Sequence, residues 1–124
     1  MKIHIIDDNQ DITDMLKTYF TKKGHECSTS NNGHDALAIL QNQKFNVILL
    51  DIAMPEFSGL DIVENLYKND KIQGLNIIVL TASSISEDHN EQLKKKGVKA
   101  ILKKPIDPDI LLGQLQQFEN KITT

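Results

Sequence analysis

Cysteine is nearly absent. Cys27 is the lone thiol in 124 residues, which excludes an internal disulfide framework and suits a reducing compartment. No apolar run approaches the length needed to cross a bilayer, and no signal-peptide pattern opens the chain. Low-complexity tracts, internal repeats and long linkers are also missing. Neither Gly-x-Gly-x-x-Gly nor a Walker motif follows the first apolar segment, which argues against a dinucleotide or nucleoside triphosphate ligand. The net charge of −3 argues against bulk electrostatic binding to nucleic acid, although a local basic patch stays open. What remains is one cytoplasmic domain of common size, with an apolar content of 40% that suffices for one core.

The pattern along the chain alternates strand and helix. Residues 2–6 form a short buried strand, and a helix over 10–22 sets Ile12, Met15, Leu16, Tyr19 and Phe20 on one face. Gly24 stops that helix, with Lys22 and Lys23 in its last turn, where cations suit the dipole. His25 to Ser30 reads as a weak, polar edge strand, and Asn31-Asn32-Gly33 is turn chemistry. A second helix carries Ala36, Leu37, Ile39 and Leu40 before strand three at 46–50. A third helix from Gly59 carries Leu60, Ile62, Val63 and Leu66, and strand four spans 76–80. A polar helix near 86–96, strand five at 98–102 and a helix from 107 to 121 complete the chain.

Five strands alternating with five helices imply an α/β fold, a doubly wound parallel sheet covered on both faces. A flavodoxin-like order 2-1-3-4-5 then puts strands one and three beside the switch point, where this architecture binds its ligand. Four strands end in polar chemistry at that edge: Asp7 and Asp8, then Asp51, Thr81 and Lys104. Three carboxylates gathered together repel one another, so the grouping makes sense mainly if a cation belongs among them.

Ile-Ile-Asp-Asp-Asn at 5–9, Leu-Leu-Asp-Ile-Ala-Met-Pro at 49–55 with Gly59 and Asp61, Leu-Thr-Ala at 80–82 and Lys-Lys-Pro at 103–105 occur in order, each closing a predicted strand. In these elements the chain resembles the receiver domain of two-component response regulators, of the stand-alone, chemotaxis-regulator-like type. The resemblance runs from Met1 to the last helix. It implies one receiver domain over residues 1–124 with no output domain. It also implies Asp51 as phosphoacceptor, Asp8 as a direct ligand of Mg²⁺, Asp7 acting on the ion largely through water, and the Ala53 carbonyl as a further oxygen ligand. Lys104 would pair with one phosphoryl oxygen and Thr81 would hydrogen-bond another. The chemistry is coherent: an aspartate can act as a covalent nucleophile, and a hard cation with a lysine offsets the charge of two anionic reactants.

Phosphorylation adds nearly two negative charges at one spot. In the family, Thr81 would move toward the phosphoryl group, and the surface of helix four, strand five and helix five would rearrange. An aromatic residue on strand five commonly reports the switch; Ile101 stands there, so a rotating ring cannot be the readout. Ala53 and Ser83 occupy the positions that tune water access to the acyl phosphate.

Other roles stay open for individual residues. Asp8 or Asn9 could cap the first helix, Asp51 could cap a loop, and Thr81, Ser83 and Ser84 are all plausible turn residues. Without Pro105, which permits a cis peptide, Lys104 would read as a solvated lysine. His4, His25, His34 and His89 share no metal-ligand spacing and read as structural or solvated. Cys27 fits small apolar filler, and Lys94, Lys95, Lys96 and Lys99 fit either a solvated helix end or a contact for an acidic partner.

The leading reading is a phosphorylatable signalling switch rather than an enzyme. It would be charged by a histidine kinase, a histidine phosphotransfer protein or a small acyl phosphate, and would act on a downstream target protein. No direct nucleic-acid contact and no membrane insertion are expected. A phosphorelay carrier and a phosphate-independent binding module are the alternatives. A covalent phosphatase fits poorly, since the Asp-x-Asp-x-Thr pattern is missing and Asp51 is followed by Ile52 and Ala53.

Overall fold

Strands buried on both faces must be apolar at nearly every position, and two segments meet that demand in full. Val47–Asp51 and Ile77–Thr81 are buried at all five positions each. They form β3 and β4 at the centre of a five-stranded parallel sheet seen in a computed structural model that describes residues 1–82 and 86–119. β1 (Lys2–Ile6), the polar β2 (Glu26–Ser30) and β5 (Ala100–Lys103) complete the order β2-β1-β3-β4-β5, the flavodoxin-like arrangement. Polar β2 lies at an edge because only an edge strand tolerates so little apolar surface.

Helices α1 (Gln10–Lys22), α2 (Gly33–Asn42), α3 (Gly59–Lys68), α4 (Glu87–Lys96) and α5 (Pro108–Leu115) cross back between the strands. One core layer joins Leu16 and Phe20 of α1 with Leu111 and Leu115 of α5 under Ile3, Ile5, Val47 and Leu49. The other joins Ala36, Ile62, Leu66 and Leu93 from α2, α3 and α4 with Ile48, Leu50 and Val79. A side chain caps every helix start: Asn9, Asn32, Ser58, Ser86 and Asp107 each accept a backbone N–H from the first turn. These caps fix all five helix starts at the carboxyl edge of the sheet, where the site lies.

Several expectations need correction at the level of single residues. Strand three begins at Val47 and strand four at Ile77, because Asn46 and Asn76 spend their side chains on bonds across the amino edge. The Asn46 amide donates to the carbonyls of Phe118 and Glu119, and that of Asn76 to the Asn46 carbonyl. Val98 and Lys99 are not yet strand, since Gly97 turns the chain at φ 127°. The last helix gives way to a 3-10 turn over Gln116–Phe118, and residues 120 and 121 lie outside the described region, as do Ser83 and Ser84. Met15 and Leu60, placed on apolar faces by spacing, are about half exposed. On α1 the inward position goes instead to Thr13, whose hydroxyl donates to the Gln10 carbonyl and accepts from Asn31.

Cys27 is half-buried against the α1–α5 layer, and burial pushes its thiol up to about 12, as befits inert filler. His4 is structural. It lies fully buried on β1, stacked on Phe45 at 4.9 Å, with Nδ1 2.7 Å from the Ser28 hydroxyl and Nε2 2.8 Å from that of Ser30. Burial lowers its pKa from 6.5 to about 4. The unfolded chain therefore binds one more proton than the folded one between those values, and stability falls as pH drops through that window. The expected loss is about 3 kcal/mol. Urea denaturation from pH 7 to pH 4 should show it as a steeper decline in wild type than in His4→Gln, which has no ring to charge. Parallel declines would show that His4 takes up its proton without cost.

Candidate functional site

Each acidic side chain reaches the carboxyl edge because its strand ends there. β1 stops at Ile6, and Asp7 follows with its N–H on the Ser30 carbonyl, in register with the end of β2. Asp51 is the last residue of β3, paired opposite Leu80. Thr81 therefore ends β4 one residue further on, opposite Lys103 of β5, and its carbonyl accepts the Lys104 N–H at 2.8 Å.

The structure brings Asp7, Asp8, Asp51 and Lys104 together. One carboxylate oxygen from each of the three acids lies within 4.8 Å of the other two. Asp7 and Asp51 are buried, at 3% and 7% exposure, whereas Asp8 faces solvent. The Lys104 ammonium sits 2.6 Å from Asp7 Oδ2 and 3.8 Å from Asp51 Oδ2, so one cation faces two buried carboxylates. The other oxygens are held by backbone: Asn9 N–H donates to Asp7 Oδ1 at 2.9 Å, and Ala53 N–H to Asp51 Oδ1 at 3.1 Å. Burial holds the Asp51 carboxyl above its ordinary range; the Ala53 N–H pulls it down, Asp7 pushes it up and Lys104 opposes that push. Thr81 is buried beside them at the strand end, and the Lys104–Pro105 peptide is cis.

Two supporting residues gain roles that the sequence showed only as turn and helix-start chemistry. The Asn31 amide donates to the Asp7 carbonyl at 2.8 Å and to the Thr13 hydroxyl at 3.1 Å, tying the β2–α2 connection to the acidic loop. Gly59 packs against the Asp51 peptide, where a Cβ would lie 2.5 Å from the Asp51 carbonyl oxygen. No larger residue lets α3 begin this close to Asp51. Asn9, not Asp8, caps α1, which leaves the Asp8 carboxylate available to the cluster.

An all-oxygen donor set of three carboxylates, one of them open to solvent, suits a hard divalent cation, which prefers oxygen and retains water on its open side. The residues present therefore fit Mg²⁺. Residues 3–116 match the model of the response regulator receiver domain. The chain belongs to the receiver-domain family. Receiver domains are signalling domains phosphorylated on an aspartate, and they bind Mg²⁺ at an acidic pocket. Among curated relatives, response regulator SaeR of Staphylococcus aureus (strain USA300) is 38% identical over 114 residues, covering 92% of this chain and 48% of the relative. The chain thus spans about half the length of the curated relatives it matches. Among solved structures, chemotaxis protein CheY4 of Vibrio cholerae superposes with a TM-score of 0.83 at 30% identity, covering 94% of this chain and 97% of that one. TrrA of Thermotoga maritima, solved in complex with Mg(2+)-BeF, superposes with a TM-score of 0.77 at 27% identity, over 94% of this chain and 97% of its own.

Two further features concern β5 and α4. Ile101, where the family commonly has an aromatic, is half-buried on β5 and packs against the core layer shared by α2, α3 and α4. α4 contributes only Leu93 to that layer and is otherwise polar. Among the described residues, no helix is long and apolar enough to cross a membrane.

Proposed function

We propose that this receiver is a phosphorylatable switch that takes a phosphoryl group on Asp51 from a histidine kinase, a histidine phosphotransfer protein or a small acyl phosphate. The observation that carries this reading is the pairing at Lys104, whose ammonium lies against both Asp7 and Asp51 where the three acids converge. Asp51 Oδ1 accepts the Ala53 N–H, and Oδ2, which faces Lys104, is the oxygen we assign to attack phosphorus. The new bond is an acyl phosphate P–O bond. The bond broken is P–N of a phosphohistidine, whose leaving imidazole takes up a proton, or P–O of a small acyl phosphate. Lys104 would hold one phosphoryl oxygen and the Thr81 hydroxyl another. Asp7, Asp8 and Asp51, with the Ala53 carbonyl, would hold Mg²⁺, which supplies charge neutralisation between two anionic reactants when bound. Beside Lys104, an apolar recess of about 210 Å³ between Ile12, Met15 and Ile106 offers a protein donor a surface to dock on.

Output would leave through protein contacts of α4, β5 and α5. The sparse apolar anchoring of α4 supports this, because a weakly held element responds to a small bias. With Ile101 instead of a ring, coupling would be weaker or would run through the backbone near Thr81. We place the domain in the cytoplasm, acting over residues 1–124 without catalysing a metabolic reaction. A phosphorelay carrier uses the same residues and differs only in passing the phosphoryl group on.

Incubation with acetyl phosphate should give acid-labile phosphate in the presence of Mg²⁺, falling at least about a hundredfold when the metal is chelated. Folded, Mg²⁺-binding protein that takes up no phosphate would overturn the switch reading and leave a phosphate-independent binding module.

A further inference from the structure

In a parallel sheet wound with helices, every helix-to-strand connection returns to the amino edge of the strands, opposite the acidic site. Here the connections after α2, α3 and α4 carry Lys44, Lys71 and Lys99, and the last turn of α4 adds Lys94 and Lys95. All five are exposed, and none joins an ion pair among the described residues. The neighbouring Lys68 and Lys96 already share Glu64. Asp70 is the one acid in those three connections. The three helix ends contribute roughly half a negative charge each, too little to offset the lysines. A band of positive charge therefore runs along one side of a molecule whose net charge is −3.

The band has a concavity in it. Between the α2–β3 and α3–β4 connections lies a recess of about 280 Å³, lined by Lys44 and Lys71, the buried Leu40 and Leu75, the Gln73 amide and Asp70. The recess thus presents cations and amide donors and acceptors over a floor closed by Leu40 and Leu75, within the reach of a few residues of extended chain. Nothing in the switch chemistry uses it.

We propose that this recess docks an acidic segment of a protein partner, in which a glutamate or aspartate lies next to an apolar side chain. The carboxylate pairs with Lys44 and Lys71, the apolar side chain rests on the aliphatic stems of those lysines, and Gln73 bonds to the segment's backbone. No aromatic side chain lines the recess for a base to stack on. A short acidic segment meets the basic band locally, whereas a long polyanion also meets the field of a net-negative molecule. A protein segment is therefore favoured over a nucleic acid.

The test uses the whole chain and a fluorescein-labelled peptide of alternating glutamate and leucine, read by fluorescence anisotropy near physiological salt. Saturable binding is expected, with amide chemical-shift changes confined to residues 40–44 and 70–75. Lys44→Glu with Lys71→Glu should weaken it at least about tenfold. Lys22→Glu with Lys23→Glu, on the other side of the sheet, should change it less than about twofold. All four lysines are exposed, and circular dichroism checks that both variants fold. Absence of saturable binding, or equal weakening by the two variants, overturns the proposal. Tighter binding of a single-stranded oligonucleotide of matched charge through the same lysines overturns it in favour of a nucleic-acid contact.

Discussion

Asp51→Asn should abolish acid-labile phosphate incorporation from acetyl phosphate while leaving the protein folded and slightly more stable. The loss follows from chemistry, because an amide oxygen is too weak a nucleophile to form the acyl phosphate. The gain follows from electrostatics. Asp51 is buried, its carboxyl is held above the ordinary range by burial, and Asp7 lies beside it, with Lys104 the one cation paired to both among the described residues. Asparagine has nearly the same shape and can still accept the Ala53 N–H, so the substitution removes one repulsive charge and keeps the geometry. The expected stabilisation is about 1 kcal/mol at neutral pH without divalent cation. It should shrink as Mg²⁺ is added, since wild type then gains more from the ion. Urea denaturation with and without Mg²⁺, beside phosphate labelling, checks both halves. Residual labelling in the variant would place the acceptor elsewhere. A marked loss of stability would show that the Asp51 charge is compensated better than its neighbours imply.

The parts of the fold that the sequence made legible are those governed by local pattern. β3 and β4 read as strands because a strand buried on both faces must be apolar throughout, and α1 read correctly from Gln10 to Lys22 because its spacing, cap and final lysines agree. The departures come from long-range partners. Nothing local tells that Asn46 will bond to carbonyls more than seventy residues away at the chain's far end, so the start of β3 was expected one residue early. Met15 sits at the same helical spacing as Leu16, yet Thr13 takes the inward position through a bond from Asn31 in a different loop. The site shows the same division. Strand ends put three acids, a hydroxyl and a lysine on one edge from topology alone. That Lys104 lies closer to Asp7 than to Asp51 depends on groups 97 residues apart and had no signal in the pattern.

That asymmetry makes Lys104 the most informative single side chain in the protein. Lys104→Met keeps most of the aliphatic stem and removes the charge, leaving Asp7 and Asp51 buried side by side with no cation among their direct partners in the described residues. Removing one member of a buried pair costs about 3–5 kcal/mol where the site is dry. Lys104 keeps 18% of its side chain exposed and Asp8 opens the cluster to water, so about 2 kcal/mol is expected here. Mg²⁺ should recover most of that loss, because a bound divalent ion restores the missing positive charge and binding to the folded state alone stabilises it by mass action. Phosphate incorporation should not recover with it. The phosphoryl oxygen that Lys104 is proposed to hold stays without its donor, and the rate should remain about a hundredfold below wild type at saturating Mg²⁺. The two readouts separate a cation that merely balances buried acids from one that also stabilises the transferring group. Denaturation midpoints across a Mg²⁺ titration measure the first role and labelling rates at saturation measure the second. Full recovery of both would reduce Lys104 to a counter-ion, whereas recovery of stability alone would fix it as part of the phosphoryl-transfer chemistry.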